Sequence, residues 1–171
     1  DENMILAGTD DGLIHLTIDG GNNWKRIPAI DGNILIQNVY ASRHLKNTIY
    51  AVYNNHRNGD FKPYLMCSKD AGATWQNLGK GLPERGSVYC FAEDPVNPEL
   101  YFAGTEFGLY FSPDAGKNWI KLSAGLPVIC VRDIAIQERE NDLVIATFGR
   151  GFYILDDYQL LRKLTKADFS K

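Results

Sequence analysis

Short stretches in which apolar and polar residues alternate, rich in Val, Ile, Tyr and Phe, recur along the whole chain, each closed by Gly, Asn, Asp or Pro. That period of two predicts β-strands joined by tight turns. The clearest set predicts strands at 87–93, 99–105, 108–112 and 118–122, with Asp94-Pro95 and Asn97-Pro98 in the first connection. An equivalent set falls at 35–41, 48–53, 64–68 and 74–78. The stretch before residue 28 lacks the first strand of such a set, and the stretch after 130 lacks the last. Behind Asp157, a possible helix cap, Tyr158, Leu161 and Leu164 stand at helical spacing and predict a short C-terminal helix.

The sets are copies of one another. Thr17-Ile18-Asp19-Gly20-Gly21-Asn22-Asn23-Trp24, Ser68-Lys69-Asp70-Ala71-Gly72-Ala73-Thr74-Trp75 and Ser112-Pro113-Asp114-Ala115-Gly116-Lys117-Asn118-Trp119 share the pattern [ST]-x-D-x-G-x-x-W, with tryptophans 51 and 44 residues apart. Those intervals approach the roughly 40–45 residues of one four-stranded β-propeller blade. Ala7-Gly8-Thr9 with Gly12-Leu13 recurs as Ala103-Gly104-Thr105 with Gly108-Leu109, and Gly81-Leu82-Pro83 as Gly125-Leu126-Pro127. A worn fourth copy follows, in which Asp157 keeps the aspartate position while Gln159 and Arg162 replace the Gly and Trp. The expected fold is all-β: about four propeller blades of four-stranded antiparallel sheets, two of them incomplete, over residues 1–156, with a helical tail at 157–171. Incomplete end blades predict either self-association, the remaining blades of a larger parent, or closure of blade one on blade four.

Composition narrows the function classes. Eighteen Lys and Arg against 21 Asp and Glu give a net charge of −3, dispersed along the 171 residues, so no basic block predicts nucleic-acid binding. Apolar runs such as Val128–Val131 are far shorter than the ~20 residues of a membrane helix. The chain opens on Asp1-Glu2-Asn3 without an initiator Met or a leader pattern, and it reads as a segment of something longer. Cys67, Cys90 and Cys130 form no C-x-x-C pair and are expected to be buried filler with at least one free thiol. No cofactor is implied. His15, His44 and His56 show no metal spacing.

The repeated turn has a physical reason for its residues. Asp19, Asp70 and Asp114 are expected to accept turn N–H groups, Gly21, Gly72 and Gly116 to take a positive φ, and Trp24, Trp75 and Trp119 to pack beneath the turn. An EF-hand calcium loop would need alternating oxygen ligands and a terminal Glu, which none of the three supplies. One aspartate per blade is expected to be structural.

The turn pattern, with the Gly-Thr-x-x-Gly-Leu strand pair ahead of it, resembles the Asp-box (bacterial neuraminidase repeat) superfamily. The segment Thr147-Phe148-Gly149-Arg150-Gly151-Phe152-Tyr153-Ile154-Leu155-Asp156-Asp157 is similar to one in bacterial sortilin-like propeller proteins often labelled glycosyl hydrolases. The resemblance covers residues 3–164. It implies a blade scaffold, a protein, peptide or glycan ligand, and a secreted or periplasmic setting. Glycoside hydrolysis, sialidase-like or xyloglucanase-like, is the alternative. Arg26-Ile27-Pro28 is similar to a sialidase motif, yet it follows the turn tryptophan instead of preceding the first turn. A xyloglucan-cleaving enzyme would need two opposed carboxylates, which Glu106 and Asp10 could imitate.

If the aspartate turns join third and fourth strands, the opposite rim carries the other connections. That rim holds the candidate ligand-binding residues Asp10, Asp11, His56, Arg57, Asp60, Arg85, Glu106 and Arg150. The loop 54–60 is unusually long for a hairpin connection.

Overall fold

A computed structural model describes residues 3–27, 30, 32, 34–123, 125–165 and 168. Fourteen strands form four antiparallel sheets in chain order. Blade one has β1 (Ile5–Gly8), β2 (Ile14–Thr17) and β3 (Lys25–Ile27); blade two has β4 (Leu35–Ala41), β5 (Ile49–Asn54), β6 (Tyr64–Ser68) and β7 (Gln76–Asn77). Blade three has β8 (Val88–Glu93), β9 (Tyr101–Thr105), β10 (Gly108–Ser112) and β11 (Ile120–Leu122); blade four has β12 (Val131–Gln137), β13 (Asp142–Thr147) and β14 (Phe152–Leu155). Each strand pairs with its chain neighbour, as a meander requires. Among the described residues, blade one shows no counterpart of the first strands β4, β8 and β12, and blade four none of the last strands β3, β7 and β11. The tail forms a 3₁₀ helix, Tyr158–Lys163, whose first N–H groups are met by the Asp157 carboxylate through Gln159 N.

The hydrophobic core lies between blades. One cluster joins Ile14, Leu16 and Ile27 of blade one to Ile36, Ile49 and Met66 of blade two. A second joins Tyr50, Leu65 and Leu78 to Val88, Phe91 and Tyr101, and a third joins Phe102, Leu109 and Phe111 to Ile134, Leu143 and Ile145. Burying each such side chain contributes roughly 1.5–3 kcal/mol. The repeated Ala-Gly-Thr strand ends owe their glycine to this packing: a Cβ at Gly8 would lie 2.6 Å from Ile36 Cγ2, and one at Gly104 would lie 2.7 Å from Val131 Cγ1, each on the next blade. Closely packed strands join blade one to two, two to three and three to four, and none of these pairs joins four to one. Trp24, Phe152 and Ile154 accordingly stay exposed at the two ends. Among the described residues, blade one and blade four are thus not packed on each other as neighbouring blades are.

The aspartate turns recur with one hydrogen-bond pattern. The Thr17, Ser68 and Ser112 hydroxyls donate to Asp19, Asp70 and Asp114 Oδ1 at 2.7, 2.8 and 2.9 Å and accept the N–H of Gly21, Gly72 and Gly116. The same carboxylates accept the N–H four residues on, from Asn23, Thr74 and Asn118. Bonds from Asn23 hold the Asp19 carboxyl at about 2, and bonds from Thr74 do the same for Asp70. Burial pushes the Asp114 carboxyl up, but bonds from Asn118 and Ser112 outweigh it and leave it below its ordinary value.

The tryptophans and glycines reach further than their own turns. Trp119 Nε1 donates to Leu78 O of blade two at 2.8 Å, and Trp75 packs on the core shared with blade one. A Cβ at Gly72 would sit 2.1 Å from Ile27 Cγ2, and one at Gly116 would sit 3.2 Å from Leu78 Cβ. Ile27 and Leu78 each stand three residues past the preceding tryptophan, so each turn docks on one equivalent residue of the blade before it. In the worn fourth copy Arg162 takes the tryptophan's place. Its guanidinium pairs with Asp94 of blade three at 2.9 Å, and Tyr158 donates to the same carboxylate at 2.6 Å. The Asp94 side chain is wholly buried; that burial raises its pKa, but the Arg162 and Tyr158 bonds outweigh it and hold the carboxyl below its ordinary value.

Candidate functional site

The opposite rim is built differently. Registers between β4 and β5, β8 and β9, and β12 and β13 skip one residue at the start of each innermost strand. The skipped residues are Gln37, Tyr89 and Arg132. A bulge of this kind leaves its extra residue out of the ladder and re-aims its side chain. The Arg132 guanidinium lies over the Tyr89 ring, 4.3 Å from its centroid, and 5.6 Å from that of Phe148. The Tyr89 hydroxyl donates to Glu106 Oε2 at 2.6 Å. Desolvation, reinforced by that bond, pushes the Tyr89 hydroxyl up to about 12.

Beside this cluster stands the long loop, whose order is local. His56–Asn58 forms a 3₁₀ turn ended by Gly59 at φ 74°. Asp60 then accepts from Tyr64 OH at 2.6 Å, Lys62 N at 3.1 Å and Asn55 Nδ2 at 3.2 Å, and the Tyr64 bond holds its carboxyl below the ordinary value. Further on, Pro63 O comes so close to Gly79 that a Cβ there would stand 2.2 Å away. The buried Asn54 side chain accepts from His56 N and contacts His56 Nδ1. With Nδ1–H donating to that oxygen, the Nε2 edge is left free.

These elements border two open cavities. The larger, about 670 Å³, is walled by the loop from Gly59 to Tyr64 and by Gly79, Lys80, Leu82, Glu84 and Arg85. The second, about 500 Å³, is lined by His56, Phe61, Arg85, Tyr89, Glu106 and Phe107. Phe61 and Arg85 line both, so the two adjoin in one grooved region between blades two and three. Each volume lies in the range of ordinary ligand sites. Glu106 is the single carboxylate lining its cavity.

The groove gathers His56, Asp60, Arg85 and Glu106 from the eight candidates. Arg57 and Arg150 are exposed and line neither cavity, Arg150 standing between Gly149 and Gly151 in a turn of blade four. Asp10 and Asp11 sit on the β1–β2 turn of blade one, where Thr9 Oγ1 donates to Asp11. Arg26 and Ile27 lie on the outer strand β3, and Pro28 falls outside the described residues. Strand periodicity missed Tyr89 and Arg132. Their signal was available in the 43-residue offset between them, and in an arginine placed second in the apolar run of β12. Among the described residues no group of three His, Cys, Asp or Glu side chains could hold a metal ion, and no helix is long and apolar enough to cross a membrane. Cys67 and Cys90 are buried thiols and Cys130 is half-buried.

Neither a family model nor a curated protein matches the chain. Solved structures do. An ancestral GH74 enzyme matches 91% of the chain at a TM-score of 0.65 and 20% identity, and a structure of YCF48 bound to D1 peptide matches 93% at 0.65 and 19%. The Niastella koreensis GH74 enzyme matches 91% at 0.67 and 15%. The fold is a β-propeller fold. The chain spans 23% of the first of these, 48% of the second and 27% of the third, so it corresponds to a part of each.

Proposed function

We propose that this chain is a peptide-binding segment of a larger propeller protein, and that the groove between blades two and three holds the ligand. The observation carrying this reading is that the two depressions adjoin at Phe61 and Arg85, side by side where an extended chain could contact both. Its apolar contacts are Phe61, Tyr64 and Phe107. Lys62, Lys80 and Arg85 balance the carboxylates of Asp60, Glu84 and Glu106, so the lining offers a peptide both donors and acceptors. We assign the three aspartate turns to the Asp-box type and give them a scaffold role, on the hydrogen bonds and blade contacts that consume each carboxylate, glycine and tryptophan. The peptide held by YCF48 lends this reading support.

A second reading follows from the GH74 structures: part of a glycoside hydrolase. Glycoside hydrolysis needs two carboxyl groups ~5–9.5 Å apart. Glu106 would then need a partner from outside its own cavity. Selection from a displayed random-peptide library, alongside reducing-sugar release from xyloglucan, separates the readings. The first expects aromatic-containing peptides that lose binding in Phe61→Ala/Arg85→Ala. Sugar release abolished by Glu106→Gln would establish the second.

A further inference from the structure

The charges lining the groove balance, but a cation just beyond it has no counterpart. Tyr89 walls the smaller cavity, and the Arg132 guanidinium lies over the Tyr89 ring and beside that of Phe148. Arg132 occupies the bulge at the start of β12, which takes it out of the ladder, and it is exposed. Among the described residues it forms no ion pair and donates to no oxygen. The half-buried Cys130 thiol within its reach is a weak acceptor. Glu106, bonded to the same tyrosine, and Asp133, the next residue in the chain, are engaged elsewhere: the first accepts from Tyr89 OH and the second from Ile134 N. The two equivalent bulges carry Gln37 and Tyr89, so a cation stands at this position in blade four alone among the described blades.

A guanidinium stacked on a ring keeps its N–H groups in its own plane, so stacking fixes the fork that binds a carboxylate without consuming it. Phe148 supplies the second half of a site. Its N–H donates to Cys130 O at 2.9 Å, which ties its backbone to blade four, while its ring is 70% exposed and offers an apolar surface beside the fork. Arg150, two residues on in the same turn, adds positive charge at this end. We propose that Arg132, stacked on Tyr89 and Phe148, binds one carboxylate of the peptide ligand, with an apolar side chain of that ligand on Phe148. The proposal deepens the peptide reading and rests on it: the ligand runs from the groove, past Tyr89, to the junction of blades three and four.

The test is NMR titration of the whole chain, read at the Phe148 backbone amide and at the Arg132 Nε–H. Three probes are added to about 10 mM, a range suited to millimolar dissociation constants. N-acetylphenylalanine carries its carboxylate at the chain end, acetyl-Phe-Asp-amide carries it on a side chain, and N-acetylphenylalaninamide has none. At least one of the first two should bind about tenfold or more tightly than the amide, a margin of the size that charge-assisted hydrogen bonds supply. Which of them does so identifies the source of the carboxylate. Arg132→Gln should erase the margin with circular dichroism unchanged, and Arg132→Lys should keep part of it, because an ammonium retains the charge but not the fork. Phe148→Ala, at an exposed ring, is the second variant and should weaken both carboxylate probes several-fold. Equal binding of all three probes, no binding of either carboxylate, or a margin that survives Arg132→Gln overturns the proposal. These probes are too small to need the groove, so the outcome is separate from library selection. Selected peptides indifferent to Arg132→Gln remove this site and keep the peptide reading; carboxylate probes held here while no peptide is selected keep the site for a small carboxylate and remove that reading.

Discussion

The two rims of the blades use the same residue types to opposite ends. On the aspartate-turn rim, Asp19, Asp70 and Asp114 are consumed by hydroxyls and N–H groups of their own turns, and the glycines and tryptophans by the neighbouring blade. On the other rim, Arg85 and His56 face a groove, and Arg132 meets aromatic rings and, among the described residues, no carboxylate. Repetition marks scaffold here, and departure from the repeat marks the opposite rim. Gln37, Tyr89 and Arg132 occupy one repeated bulge with three unlike side chains.

Variants sharpen that contrast. The largest loss is expected for Arg162→Ala, which leaves the buried Asp94 carboxylate unpaired and should lower unfolding free energy by about 3 kcal/mol in denaturant titration. Gly72→Ala comes next. It forces a side chain to φ +88° and against Ile27, at a combined cost of about 2–3 kcal/mol, whereas Gly21→Ala, at φ +98° in open space, should cost about 1 kcal/mol. The gap between the two measures the blade contact alone. Trp119→Phe removes the bond to Leu78 O and should cost about 1 kcal/mol. Phe61→Ala and Arg85→Ala on the groove rim should shift stability by less than about 0.5 kcal/mol.

Acid tests the turns differently. The Asp19 and Asp70 carboxyls drop from an ordinary 3.8 to about 2 in the folded chain. A depressed carboxyl stabilises the fold above its unfolded pKa and ceases to do so as pH falls through its folded value. Thermal midpoints should therefore decline between about pH 4 and pH 2, and Asp70→Asn should flatten part of that decline.

Alternation and turn residues were enough to place the strands of blades two and three, because those strands bury one face against each neighbour and carry β-branched or aromatic residues throughout. They overextended the last strand of blade two: 74–78 was expected, but the strand runs Gln76–Asn77, with Leu78 N still donating to Leu65 O and Thr74 spent on Asp70. The direction in which Trp119 packs was not legible, because Leu78 is 41 residues away and meets it only once blades stack. Of the loop residues named from the sequence, His56, Arg85 and Glu106 line one cavity. Phe61 was hidden because an aromatic in a loop carries no period, and Arg132 because a bulge is invisible to a two-residue alternation.

The central claim is that ligand binding belongs to the groove rim and stability to the turn rim. It is tested most directly by calorimetric titration of the tightest library-selected peptide into the wild-type chain, Phe61→Ala/Arg85→Ala and Asp70→Asn. Affinity should be about tenfold or more weaker for the groove variant at an unchanged thermal midpoint, and unchanged for Asp70→Asn with a lowered midpoint. Wild-type affinity in the groove variant, or lost affinity in Asp70→Asn, would contradict it.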